Sequence, residues 1–166
     1  MPLHDSQNES NIAALLAKAN IRFETQASMP VTDWPWKTPG SKGPPKSDFY
    51  LPDAKLHVEV KGYMTLWVLA KSAWLSQQGF NYYFLQSDDE TWDPFADSPV
   101  PRVPQEAKQT KAALKRAIVA QQIAELHHLN EAGVQENACN AVSRARIRRY
   151  IQARMSTYSE WVGEFP

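Results

Sequence analysis

A chain of 166 residues, 43% hydrophobic and 11% aromatic, is long enough for one domain with its own core and too apolar to be natively disordered. Its 18 basic and 18 acidic residues cancel, so any affinity for a polyanion must come from local clustering of charge. Cys139 is the only cysteine, which excludes an intrachain disulfide and a cysteine-based structural zinc site, and the absence of a signal-peptide pattern or of an apolar run near ~18 residues predicts a cytoplasmic protein with no membrane contact.

The first periodic segment covers residues 6–20. Ile12, Leu15, Leu16 and Ala19 repeat at helical spacing, and Ser6 with Glu9 fits a capping box. Ile21, Phe23 and Thr25 then alternate as in a short strand. Residues 29–46 are rich in Pro and Gly and carry Trp34, Trp36, Lys37, Lys42 and Lys46, the pattern of a long loop with basic and aromatic tips.

From Asp48 the period changes to two. Phe49 and Leu51 point one way, Asp48 and Tyr50 the other; Pro52, Asp53, Ala54 and Lys55 read as a turn. Leu56, Val58 and Val60 then face a core, with His57, Glu59 and Lys61 opposite. Residues 65–78 return to helical spacing, with Gly79 placed to end the helix, and residues 81–86 form a third strand-like run. Residues 87–104 are acidic and proline-rich, a linker or lid. Residues 105–131 read as a helix broken by Gly133, and residues 136–155 as a second one. The expected organisation is an α/β core over residues 1–86, a linker over 87–104 and a helical extension over 105–166.

The chemistry sits in the two strands. Folded as a hairpin around Asp53 and Ala54, they place Asp48 opposite Glu59, while Glu59 and Lys61 share a face. Two carboxylates about 4 Å apart repel by roughly 4 kcal/mol at an effective dielectric near 20. A hard cation such as Mg²⁺ or Mn²⁺ between them, or a proton on one, relieves this, and the Val60 carbonyl is a candidate additional ligand. A metal held there polarises a phosphate and acidifies a bound water, which Lys61 can orient or deprotonate.

Asp-Phe-Tyr-Leu, a turn, then Val-Glu-Val-Lys-Gly resembles the PD-(D/E)XK nuclease superfamily. The order helix, strand, hairpin, helix, strand is most similar to phage and archaeal Holliday-junction resolvases and small phage endonucleases. The resemblance covers residues 6–86. It implies a restriction-endonuclease-like core, a mixed central β-sheet flanked by helices, with a C-terminal helical extension that has no counterpart. It further implies a Mg²⁺-dependent endonuclease acting on DNA, branched DNA included, and a homodimer. By position, Asp48 matches the metal-binding aspartate, Glu59 the second carboxylate, Lys61 the catalytic lysine and Glu9 the helix glutamate that completes the metal site in several families. A literal Pro52-Asp53 pair also precedes the Glu-Val-Lys run, but it lies at the hairpin tip, away from Glu59. A restriction or repair endonuclease, and a non-catalytic binding module that keeps the fold, are the alternative readings.

Other residues carry two readings each. Glu9 is either a capping-box partner or a metal ligand. Lys71 either reaches a phosphate or is solvated, and Gln86 either points into the site or packs. His57 reads as a packed or surface histidine rather than a ligand. Arg144, Arg146, Arg148, Arg149 and Arg154 form a basic run with Arg144 and Arg148 one helical turn apart; together with Lys37, Lys42 and Lys46 it is either a nucleic-acid surface or a solvated face. Trp34 and Trp36 either stack on bases or pack onto the core.

Overall fold

The computed structural model describes residues 7–29, 46–61, 71, 74–75, 78–86, 98, 100–102 and 110–133. Helix α1 (Gln7–Lys18) buries Glu9, Ile12 and Leu16, a stripe at spacings of three and four. Its end is fixed by Asn20, which adopts φ 57°. Ile21 N–H donates to the Leu16 carbonyl and Asn20 N–H to that of Ala17, both at 3.0 Å, the paired bonds of a Schellman motif. Leu16 and Ile21 join the same core, the apolar contact that accompanies such an ending. Ile21 therefore closes the helix rather than opening a strand, and strand β1 begins later, spanning Glu24–Ser28.

Strands β2 (Lys46–Leu51) and β3 (Leu56–Lys61) form the expected hairpin. The turn is closed by Lys55 N–H on the Pro52 carbonyl, with Lys55 at φ 48°. β1 pairs antiparallel with β2, and β2 antiparallel with β3 in the register Phe49↔Val58, Tyr50↔His57, Leu51↔Leu56. Lys46 starts β2 instead of ending the preceding loop. Strand β4 (Tyr82–Gln86) pairs parallel with β3, His57 against Tyr82 through Lys61 against Gln86. The sheet of the described residues is thus mixed, in the order β1-β2-β3-β4.

Parallel pairing requires a crossover between β3 and β4, and its described part is helical at Lys71, Trp74 and Leu75. The crossover ends as the sequence predicts. Gly79 sits at φ +88°, a conformation that needs no Cβ, and Phe80 N–H donates to the Leu75 carbonyl.

Helix α2 (Lys111–Ala132) begins six residues later than its composition suggests, because Thr110 caps it: the Thr110 hydroxyl accepts from Ala113 N–H at 3.0 Å. Gly133, at φ 70°, ends it. One side of α2 lies on the sheet. Ile123, Leu126 and Leu129 share a core with Ile12 and Leu16 of α1, Phe49 and Leu51 of β2, Val58 and Val60 of β3, and Tyr83 and Leu85 of β4. Each Leu or Phe fully buried there stabilises by about 1.5–3 kcal/mol. The Gln122 side chain brackets Gln86, accepting from its N–H at 2.9 Å and donating to its carbonyl at 2.7 Å. Gln122 thereby satisfies backbone groups of β4 that face no further strand among the described residues. The second predicted helix, over residues 136–155, lies outside the described residues, as do Ser6 of the capping box and most of the 87–104 linker. No described helix is long and apolar enough to cross a membrane.

Candidate active site

The β2–β3 register carries Asp48 to the position beside Glu59. Past Phe49↔Val58 the contact between the strands continues through a side chain: Val60 N–H donates to Asp48 Oδ2 at 2.8 Å. This bond aims Asp48 at the C-terminal end of β3. Val60 meets the site through its N–H, while its side chain belongs to the core.

Glu59 is almost fully buried, at 3% exposure. Burial of a carboxylate is tolerated only with paired charge and hydrogen bonds, and the surroundings provide both. Lys71 Nζ lies 3.0 Å from Oε1 and Lys61 Nζ 3.6 Å from Oε2. Tyr82, on β4, is also buried against it. Burial and the charge of Glu59 push the phenol's ionisation well above its ordinary range, so Tyr82 stays neutral.

Asp48 has the opposite balance. Its carboxyl is pushed up to about 7, by burial first and by the charge of Glu59 next. The Val60 N–H draws it back, Glu9 raises it again, and Lys61 lowers it slightly. Glu9 is buried on α1, with 6% exposure, and its charge is felt at Asp48. The fold therefore gathers Glu59, Glu9 and Lys61 around Asp48, and Lys61 and Lys71 around Glu59, from four separate elements.

Among the described residues no three His, Cys, Asp or Glu side chains are grouped so as to hold a metal ion together. Mg²⁺ does not require one. It is commonly held by one or two carboxylates, with waters and substrate phosphate completing its shell. The donor set fits that pattern: two hard-oxygen side chains, one of them pushed toward its protonated form by burial and by the negative charge of the other.

His57 is a packing residue. Its Nδ1 lies 2.8 Å from Ser47 Oγ, and its ring packs tilted against Tyr50 and edge-on to Phe80 at centroid distances of 4.7 and 5.6 Å. Burial lowers its pKa to about 4. Gln86 is fully buried at the end of β4. Lys46 is exposed at the start of β2, two residues before Asp48. Lys37, Lys42, Arg144 and Arg148 lie outside the described residues, with Trp34 and Trp36.

Two site residues were hidden in the sequence. Lys71 reads there as a surface or phosphate-reaching lysine, yet its side chain is only 16% exposed and sits on Glu59. Tyr82 reads as one of several aromatics in Asn-Tyr-Tyr-Phe-Leu-Gln. Its role follows from the parallel register with β3, and no local pattern encodes that register. Known protein families, curated proteins and solved structures provide no match to this chain.

Proposed function

We propose that this chain is a metal-dependent phosphodiesterase acting on DNA, with a restriction-endonuclease-like core of the PD-(D/E)XK type. The observation that carries the reading is the pair Asp48 and Glu59 on adjacent strands, with the Asp48 carboxyl driven to about 7 beside its neighbour and Lys61 alongside. A purely structural ion pair needs only Glu59 and a lysine; the extra, poorly compensated carboxylate calls for a cation.

In this reading Asp48 and Glu59, with Glu9 behind them, hold Mg²⁺ or Mn²⁺. Bound there, the ion would polarise a phosphate and acidify a water. The protein's own residues do the rest. Val60 N–H orients Asp48. Lys71 orients Glu59. Lys61, two residues from Glu59 and 33% exposed, presents an ammonium at the mouth of the site, where it orients the attacking water and offsets charge on the phosphate. The reaction is hydrolysis: the water oxygen bonds to phosphorus, the bond to the leaving sugar oxygen breaks, and that oxygen takes up a proton. Lys46, and by the sequence reading Lys37, Lys42, Arg144 and Arg148, would supply phosphate contacts, and a branched substrate with two-fold symmetry suits a homodimer.

The test is cleavage of linear, single-stranded, flap and four-way DNA with and without divalent cation. Cleavage is expected with Mg²⁺ or Mn²⁺, and none with EDTA or in Asp48→Asn and Glu59→Gln variants. Lys61→Ala should slow cleavage by about 10²-fold with Mn²⁺ binding retained. Full activity in EDTA or in either carboxamide variant overturns the assignment. DNA binding without cleavage of any substrate would identify a non-catalytic binding module instead.

A further inference from the structure

Both oxygens of the Glu59 carboxylate are engaged by ammonium groups, Lys71 at 3.0 Å and Lys61 at 3.6 Å. One buried negative charge thus faces two positive ones, with the neutral Tyr82 buried nearby. The two lysines are not equivalent. Lys61 comes from the same strand as Glu59, is 33% exposed, and its charge reaches Asp48 as well. Lys71 comes from the crossover, is 16% exposed, and makes the shorter contact. A divalent ion approaching Glu59 meets one oxygen, Oε1, that accepts from the Lys71 ammonium, and a second, Oε2, that is ion-paired with Lys61 at longer range.

We propose that Lys71 is a built-in competitor for the divalent cation: it occupies Glu59 Oε1 when no ion is bound, and ion entry displaces its ammonium toward a substrate phosphate. The inference rests on the proposed metal-dependent reading of this site. Lysine suits the role, being a compact point charge with rotatable donors on a flexible stem. Without it, Glu59 would be left buried against a single, longer ion pair in the ion-free protein. A consequence is reciprocal coupling. A phosphate that draws Lys71 off Glu59 strengthens cation binding, and the cation strengthens DNA binding by the same factor.

The experiment is calorimetric titration of Mn²⁺ into the full chain, free of DNA, for the wild type, Lys71→Met and Lys71→Arg, with circular dichroism to verify folding. Lys71→Met is expected to bind Mn²⁺ more tightly, on the order of tenfold, the scale on which residues bordering a metal site act. Lys71→Arg keeps the charge and adds fork geometry, so its affinity should equal or fall below that of the wild type. Lys71→Met should also lose the gain in DNA affinity that Ca²⁺ gives the wild type. Equal or weaker Mn²⁺ binding by a folded Lys71→Met overturns the competitor role. Should that variant fail to fold, Lys71→Arg binding tighter than wild type overturns it as well. If the wild type binds Mn²⁺ but cleaves no DNA, the nuclease reading fails, and tighter Mn²⁺ binding by Lys71→Met still supports the competitor role. If it binds no Mn²⁺, both fall.

Discussion

The two sides of β3 are almost equally dry and bury opposite chemistries. Toward the helices, Leu56, Val58 and Val60 join Ile12, Leu16, Leu126 and Leu129 in a continuous apolar core. On the other side, His57 and Glu59 are 7% and 3% exposed, surrounded by Tyr82, Lys71, Lys61 and Asp48. Burial on the first side stabilises in proportion to area removed from water. On the second it brings desolvation that pairing only partly offsets, and the residue is visible at Asp48, whose carboxyl resists ionisation. Such a charge cluster beside an efficient core is the cost that the metal-binding role proposed above would explain.

Substitutions that attack one side should therefore behave unlike those that attack the other. The largest expected effect is on the apolar side. Phe49 is fully buried and meets Phe23 edge-to-face at 5.4 Å. Phe49→Ala should lower unfolding free energy by about 3–5 kcal/mol, read from urea denaturation; a loss below about 1 kcal/mol would mean that this side is loosely packed. Next is Gln122→Ala, which strips the Gln86 N–H and carbonyl of their partners in a dry setting. A loss of about 2–4 kcal/mol is expected, and faster amide exchange at Gln86 would locate it.

The smallest effect has the opposite sign. Asp48 rises from 3.8 to about 7 on folding, so the native state keeps a proton that the unfolded chain releases between those values. Its contribution to stability is thus intact below about 4 and declines as pH rises through 7. His57 falls from 6.5 to about 4. The unfolded chain takes up a proton that the native state refuses, and stability declines as pH falls from 6.5 to 4. The two slopes oppose each other and flatten the wild-type profile. Asp48→Asn, measured in EDTA, should gain about 1–2 kcal/mol at pH 8, after allowance for the partial exposure of Asp48, and nothing near pH 4. Its profile should then rise with pH as His57 acts alone. A variant less stable than wild type at pH 8 would show that Asp48 is held by compensation absent from the apolar side.

What the sequence by itself determined was everything local. Period-two alternation placed Phe49, Leu51, Val58 and Val60 on the core side and Asp48, Glu59 and Lys61 away from it, because a strand's pleat sends neighbours to opposite faces. The four-residue turn set the hairpin register and so the pairing of Asp48 with Glu59. Gly79 and Gly133 marked helix ends through backbone conformations that side chains disfavour. Boundaries that depend on capping were less legible: Asn20 and Thr110 moved the ends of β1 and α2 because a cap competes with periodicity for the same residues. Only the tertiary structure decided who surrounds Glu59. Lys71 reaches it across the crossover and Tyr82 from a parallel strand 23 positions further along the chain, while the charge of Glu9 reaches the neighbouring Asp48 from α1. Contacts between elements that distant are set by how the helices bury their apolar stripes on the sheet, a global packing solution that leaves no spacing in the sequence.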